Sequence, residues 1–221
     1  MGPANDRGEF VTRTLVCIAF FLASGKQAAY VDLTIPAKTQ DINTNTIYRH
    51  TGGRVFDRRG PDPQTLPLSA KVTRVLSSTE NGPGTDSLEV VLTNIGAKEV
   101  TVPIGNDPVL ILAPYAADRR EVTFMVFAGT GAHETVGWVK SVSSAAYPDS
   151  VAHLAPGDSV TYKLPIDGQR ANKTRAAHDG ATLQLTVWAQ FGKVVIDAGS
   201  DLHVDVGEEI RSENSLPWPP K

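Results

Sequence analysis

Leu88-Glu-Val-Val-Leu-Thr-Asn-Ile-Gly96, followed by Glu99-Val-Thr-Val-Pro103, decides the fold of this chain. Leu88, Val90 and Leu92 alternate with Glu89, Val91 and Thr93, which puts an apolar face on one side of an extended strand. Asn94 and Gly96 both tolerate positive φ and supply a turn. Val100 and Val102 then resume the alternation until Pro103. A second phrase, Leu154-Ala-Pro-Gly-Asp158, runs directly into Ser159-Val-Thr-Tyr-Lys-Leu164. Each phrase reads as strand, tight turn and strand.

The same period continues outward. Lys71-Val-Thr-Arg-Val-Leu76 precedes the first phrase, and Val109-Leu-Ile-Leu112 follows it as a short buried run. Glu121-Val-Thr-Phe-Met-Val-Phe127 and Thr135-Val-Gly-Trp-Val-Lys140 come next. Thr182, Gln184 and Thr186 alternate with Leu183, Leu185 and Val187, and Trp188 and Phe191 extend that strand. Asp201-Leu-His-Val-Asp-Val206 is the last. About eight strands, separated by turn signals and without a sustained 3.6-residue pattern, predict an all-β antiparallel sandwich. Pro217-Trp-Pro-Pro-Lys221 is expected to lie outside the ladder, because proline removes a backbone donor.

Composition sets the outer bounds. The 221 residues carry 41% hydrophobic and 20% charged side chains, with a formal net charge of −3, an ordinary globular balance. Nucleic-acid binding usually needs a clustered basic surface, so no such partner is expected. Arg7 and Arg13 precede the apolar run Leu15-Val-Cys-Ile-Ala-Phe-Phe-Leu-Ala23, and Ser24 and Gly25 follow. That pattern predicts a secretory signal peptide over 1–25, with a buried core segment as the alternative. The run is too short to span a bilayer, which takes about 20 residues. The only cysteine, Cys17, lies inside it, so no disulfide framework is expected. From 26 to 68 the chain is polar and rich in turn residues, which predicts an extended arm or linker. The sandwich is expected over 69–208 and a tail over 209–221.

Taken together, the two phrases resemble bacterial immunoglobulin-like domains, in which an "L-x-V-x-L-T" strand meets an Asn-x-Gly or Asn-x-Ser turn. In the same domains an "L-x-P-G-[DE]" turn introduces a later strand, as Leu154-Ala-Pro-Gly-Asp158 does. The bacterial proteinase-inhibitor family of immunoglobulin-like fold carries both features, as do adhesion-type accessory modules. The resemblance covers roughly Lys71 to Val206 and implies an immunoglobulin-like sandwich. It also implies an accessory or inhibitory role.

Motifs that carry chemistry are sparse. No Gly-x-Ser-x-Gly elbow, His-Glu-x-x-His, cysteine pair or glycine-rich phosphate loop occurs, so neither enzymatic activity nor a cofactor is expected. His133-Glu134 and His178-Asp179 are chain neighbours, a spacing that seldom gives catalytic geometry. Asp201, His203 and Asp205 share one face of their strand. They suit either a divalent cation or the charged, solvent-facing side of an edge strand. Between two strong strands, 167–180 forms a long polar connection concentrating Arg170, Lys173 and Arg175. It reads either as a solvated connector or as a loop that binds an anionic surface.

The expected function is an exported interaction module, secreted or periplasmic, that recognises a protein or a cell-envelope polymer through its loops. The alternative is a secreted or periplasmic protease inhibitor.

Overall fold

The computed structural model describes residues 27–34, 66–77, 86–106, 120–129, 134–196 and 203–220, with backbone alone for 193–196 and 203–208. The expected signal peptide, most of the expected arm and the run at 109–112 lie outside the described residues.

The alternating stretches become strands, and the apolar residues of each alternation turn inward. In chain order they are β1 (Gln27–Asp32), β2 (Leu68–Leu76), β3 (Asp86–Asn94), β4 (Val100–Pro103), β5 (Arg120–Gly129) and β6 (Glu134–Ser143). Then follow β7 (Val151–Leu154), β8 (Ser159–Ile166), helix α1 (Gly168–Ala177), β9 (Leu183–Ile196), β10 (His203–Arg211) and β11 (Leu216–Trp218). One sheet has the order β1-β8-β3-β2 and the other β6-β5-β9-β4-β7, with β10 and β11 also paired to β9. Leu88, Val90 and Leu92 of the first sheet share a core with Val122, Phe124, Val126, Leu185 and Val187 of the second. The fold is therefore all-β with sandwich-like packing. At its centre Tyr162 is fully buried against Phe124, ring centres 4.6 Å apart, and its hydroxyl donates to Pro103 O at 2.6 Å. Burial pushes that phenol far above the ordinary tyrosine range.

Three stretches depart from expectation. Gln27–Asp32, expected within a polar arm, is an edge strand lying parallel to β8 in an otherwise antiparallel arrangement. Residues 168–177, expected to be part of an irregular connection, form α1. Asp167 caps the helix by accepting from Arg170 N at 3.0 Å, and Ala171 and Thr174 are buried. Leu216–Trp218, expected to lie outside the ladder, pairs with Leu183–Leu185 of β9. A proline is tolerated in so short an edge strand, where its missing donor need not serve the ladder.

The chain's last segment also ties the two sheets together. Glu213 N donates to Ala70 O, and the Asn214 side chain makes a two-way contact with the Val72 backbone at 2.8 and 2.9 Å. Ser212 N meanwhile donates to Val187 O of the other sheet. Trp218, nearly fully buried, donates from Nε1 to Asp86 Oδ2 at 2.8 Å.

At the opposite edge, Asp32 fixes the end of β1. Its Oδ1 accepts from Thr34 N at 2.9 Å and from the Thr34 hydroxyl, while Oδ2 lies 3.3 Å from Lys163 Nζ. Partial burial pushes the carboxyl pKa up, but the Thr34 hydrogen bonds and the Lys163 ammonium outweigh it, and the net shift is down. A carboxyl held lower in the folded state contributes stability above its unfolded value, about 3.9, and loses it as pH falls through the folded value. Asp32→Asn is therefore expected to lower Tm at neutral pH, with the gap closing as the buffer is taken below about pH 4. Thermal melts of both proteins across that range check it; a gap that stays constant contradicts it.

Candidate functional site

The three basic residues singled out in the sequence do not form one patch. At 3.6 residues per turn, Arg170 and Lys173 fall on one flank of the buried Ala171–Thr174 stripe and Arg175 on the other. Arg170 is exposed and its Nε sits 3.3 Å from Asp167 Oδ2. Lys173 is exposed. Arg175 is spent locally, since its Nε donates to Gly180 O at 2.9 Å and closes the turn after the helix. Asp179 and Gly180 take positive φ in that turn. A surface that approaches the Arg170 flank of α1 meets Arg170 and Lys173 together, with Arg175 on the other side of the buried stripe.

Among the metal candidates, Asp201 lies outside the described residues, as do the side chains of His203 and Asp205. Their backbones place His203 opposite Val195 and Asp205 opposite Lys193 on β9. Among the described residues, no group of three His, Cys, Asp or Glu is arranged to hold a metal ion. His133 is also outside the described residues, and His178 ends α1.

The structure brings the two sequence phrases together at one side chain. Asn94, fully buried, donates from Nδ2 to Lys98 O at 2.7 Å and to Leu154 O at 2.8 Å. Its Oδ1 accepts from Gly96 N at 2.9 Å, and its backbone pairs with Asp158 O and Gly157 N. Ile95 N donates to Pro67 O, so the β3–β4 turn is held from three sides. On this pinned backbone the Ile95 side chain is 67% exposed.

Four residues beyond Ile95, Glu99 meets β7. His153 Nδ1 lies 3.1 Å from Glu99 Oε1 and 3.2 Å from Thr101 Oγ1. The contact follows from register, because Thr101 stands opposite His153 in the β4–β7 ladder. Glu99 and Thr101 share a face by alternation, but no local pattern announces a partner 52 or 54 residues away.

Across the second sheet, Trp138, Met125, Trp188 and Arg211 stand in register on β6, β5, β9 and β10. The row is already self-capped. Trp188 has Phe127 at 4.4 Å and the Arg211 guanidinium at 4.0 Å, and Lys140 Nζ lies 5.8 Å from the Trp138 ring centre. Both cations are also paired, Arg211 with Glu209 and Lys140 with Glu121, each at 2.7 Å.

No protein-family model matches this chain. No curated protein matches it either. Among solved structures, a protein from Archaeoglobus fulgidus is 11% identical with a TM-score of 0.32, over 70% of this chain and 97% of that one. The X-ray structure of Northeast Structural Genomics Consortium target SoR45 is 9% identical with a TM-score of 0.27, over 68% and 80% respectively. At those scores neither neighbour informs the fold or the site.

Proposed function

We propose that this chain is an exported, non-catalytic interaction module. It would be an immunoglobulin-like sandwich, secreted or periplasmic after loss of 1–25, that recognises a protein or a cell-envelope polymer through its loops. One observation carries the reading: Ile95 is two-thirds exposed on a turn that the buried Asn94 holds in place. An apolar side chain presented on a fixed backbone can be buried by a partner with little further loss of chain entropy. Arg170 and Lys173 supply a separate exposed basic pair on α1. The immobilised full chain is expected to retain a component of the envelope or secreted fraction, and Ile95→Asp to release it. Retention that survives both Ile95→Asp and the Arg170→Ala/Lys173→Ala pair would sink the loop assignment.

The same turn supports a second reading, a protease inhibitor, since a loop fixed in its bound shape is what tight inhibition of a protease requires. That reading expects stoichiometric inhibition of at least one secreted protease, abolished by Ile95→Asp. A clean negative across the protease classes ends it.

A further inference from the structure

Where β6 gives way to β7, the surface opens into a cleft of about 310 Å³ lined by Arg120, Ser143, Ser144, Pro148, Val151 and His153. Its wall is preformed. Tyr147 N donates to Ser144 O and Ser150 N to Tyr147 O, both at 2.9 Å, and Ile104 N donates to Ser150 O at 2.8 Å. Ser143, Ser144 and Ser150 are buried, so this turn needs no ordering when a ligand arrives. Pro148 and Val151 give the cleft an apolar surface, and Tyr147 stands on the same turn, 40% exposed. Arg120 brings a guanidinium that no carboxylate among the described residues neutralises. His153 has Nδ1 committed to Glu99 and Thr101, which fixes the ring and leaves Nε2 as its remaining polar atom.

We propose that this cleft binds a carboxylate carried on a short apolar body, the chemistry of a peptide C-terminus. A planar guanidinium matches a carboxylate with two parallel hydrogen bonds, and His153 Nε2 can add a third when it carries the proton. One guanidinium and one imidazole against a mostly apolar wall suit a singly charged group better than a phosphate ester. The volume sits at the small end of ligand clefts, which start at about 300 Å³, so it accommodates one or two residues and not a nucleotide. The inference does not depend on the Ile95 turn and stands or falls separately from the module reading. The chemistry also occurs in free short-chain acids, and the test separates the two sources.

The full chain would be titrated with N-acetyl-Ala-Val bearing a free C-terminus, with the same peptide as its C-terminal amide, and with butyrate. Calorimetry and amide shift mapping read the result. The free-acid peptide is expected to bind and to move signals within 143–153, with the amide weaker by about tenfold. Arg120→Ala is expected to lose about tenfold, and Arg120→Lys, which keeps charge but not the fork, to fall between. If Arg120→Ala does not fold, His153→Gln carries the comparison, with loss of affinity expected at unchanged Tm. Butyrate binding as tightly as the peptide supports the carboxylate site and assigns it to free acids. Equal binding of acid and amide overturns the inference. So does unchanged affinity in the folded variants, or no binding of either acid at millimolar concentration.

Discussion

Replacing Asn94 with alanine is expected to destabilise the fold by about 3 kcal/mol, enough to lower Tm by about 9 °C in a chain of this size. The side chain is fully buried and makes three hydrogen bonds, two donated and one accepted. Alanine deletes all three. It leaves the Leu154 carbonyl without this donor in a buried setting, which is the expensive half of a lost hydrogen bond. Aspartate is the sharper test. It keeps the acceptor that Gly96 N uses, but puts carboxylate oxygen where Nδ2 meets the carbonyls of Lys98 and Leu154. A buried charge facing two acceptors is expected to cost roughly 5 kcal/mol, so Asn94→Asp should fall below Asn94→Ala. Urea melts followed by tryptophan fluorescence check the order. An aspartate variant as stable as the parent would mean that the amide does not join the two turns. The Ile95 presentation depends on the same contacts, so any partner captured through that turn should be lost at temperatures below the global melt in Asn94→Ala.

The strands were legible for a reason that Asn94 also exposes. Leu88, Val90 and Leu92 all turn inward, and the alternation that reports this is written within a few residues. What joins β3 to the β7–β8 turn is a side chain reaching 60 positions along the chain, and no local pattern encodes that distance. Helix α1 is hidden from sequence reading because its buried stripe is only Ala171 and Thr174, neither of which announces an apolar face. The one local signal for it is Asp167, a helix cap placed three residues before the amide it accepts from. Arg170, Lys173 and Arg175 are one cluster along the sequence, but helical geometry separates Arg175 from the other two. For β11 the local signal, Pro217, points away from a ladder, whereas the burial of Trp218 and its bond to Asp86, 132 positions away, hold the segment in place. The cleft at Arg120 and His153 draws on β5, β6 and β7, so it exists only once the register is known.

Gly137→Ala is expected to cost about 3 kcal/mol for a single methyl group, because the backbone of another strand occupies the space. Gly137 faces Val126 in the β5–β6 ladder, beside a bulge that inserts Val136. A Cβ built there would collide with the Pro165 carbonyl oxygen of β8 and lie 3.1 Å from Val126 Cβ and Cγ2. Neither neighbour yields easily. Pro165 belongs to β8, in register opposite Ser87, and Val126 is fully buried in the core. The methyl can be accommodated only by parting the two sheets where β6 crosses β8, which would also strain the bond from Asp167 N to Val136 O that leads into α1. Gly168→Ala provides the contrast. No atom lies within 4 Å of its added Cβ, it does not need positive φ, and it opens a helix. Alanine there is expected to be neutral or to stabilise by about 0.5 kcal/mol through reduced freedom of the unfolded chain. Chemical denaturation of the two variants side by side separates a packing cost from a generic glycine effect. Equal and small losses at both positions would show that β6 and β8 do not approach as closely as Gly137 permits.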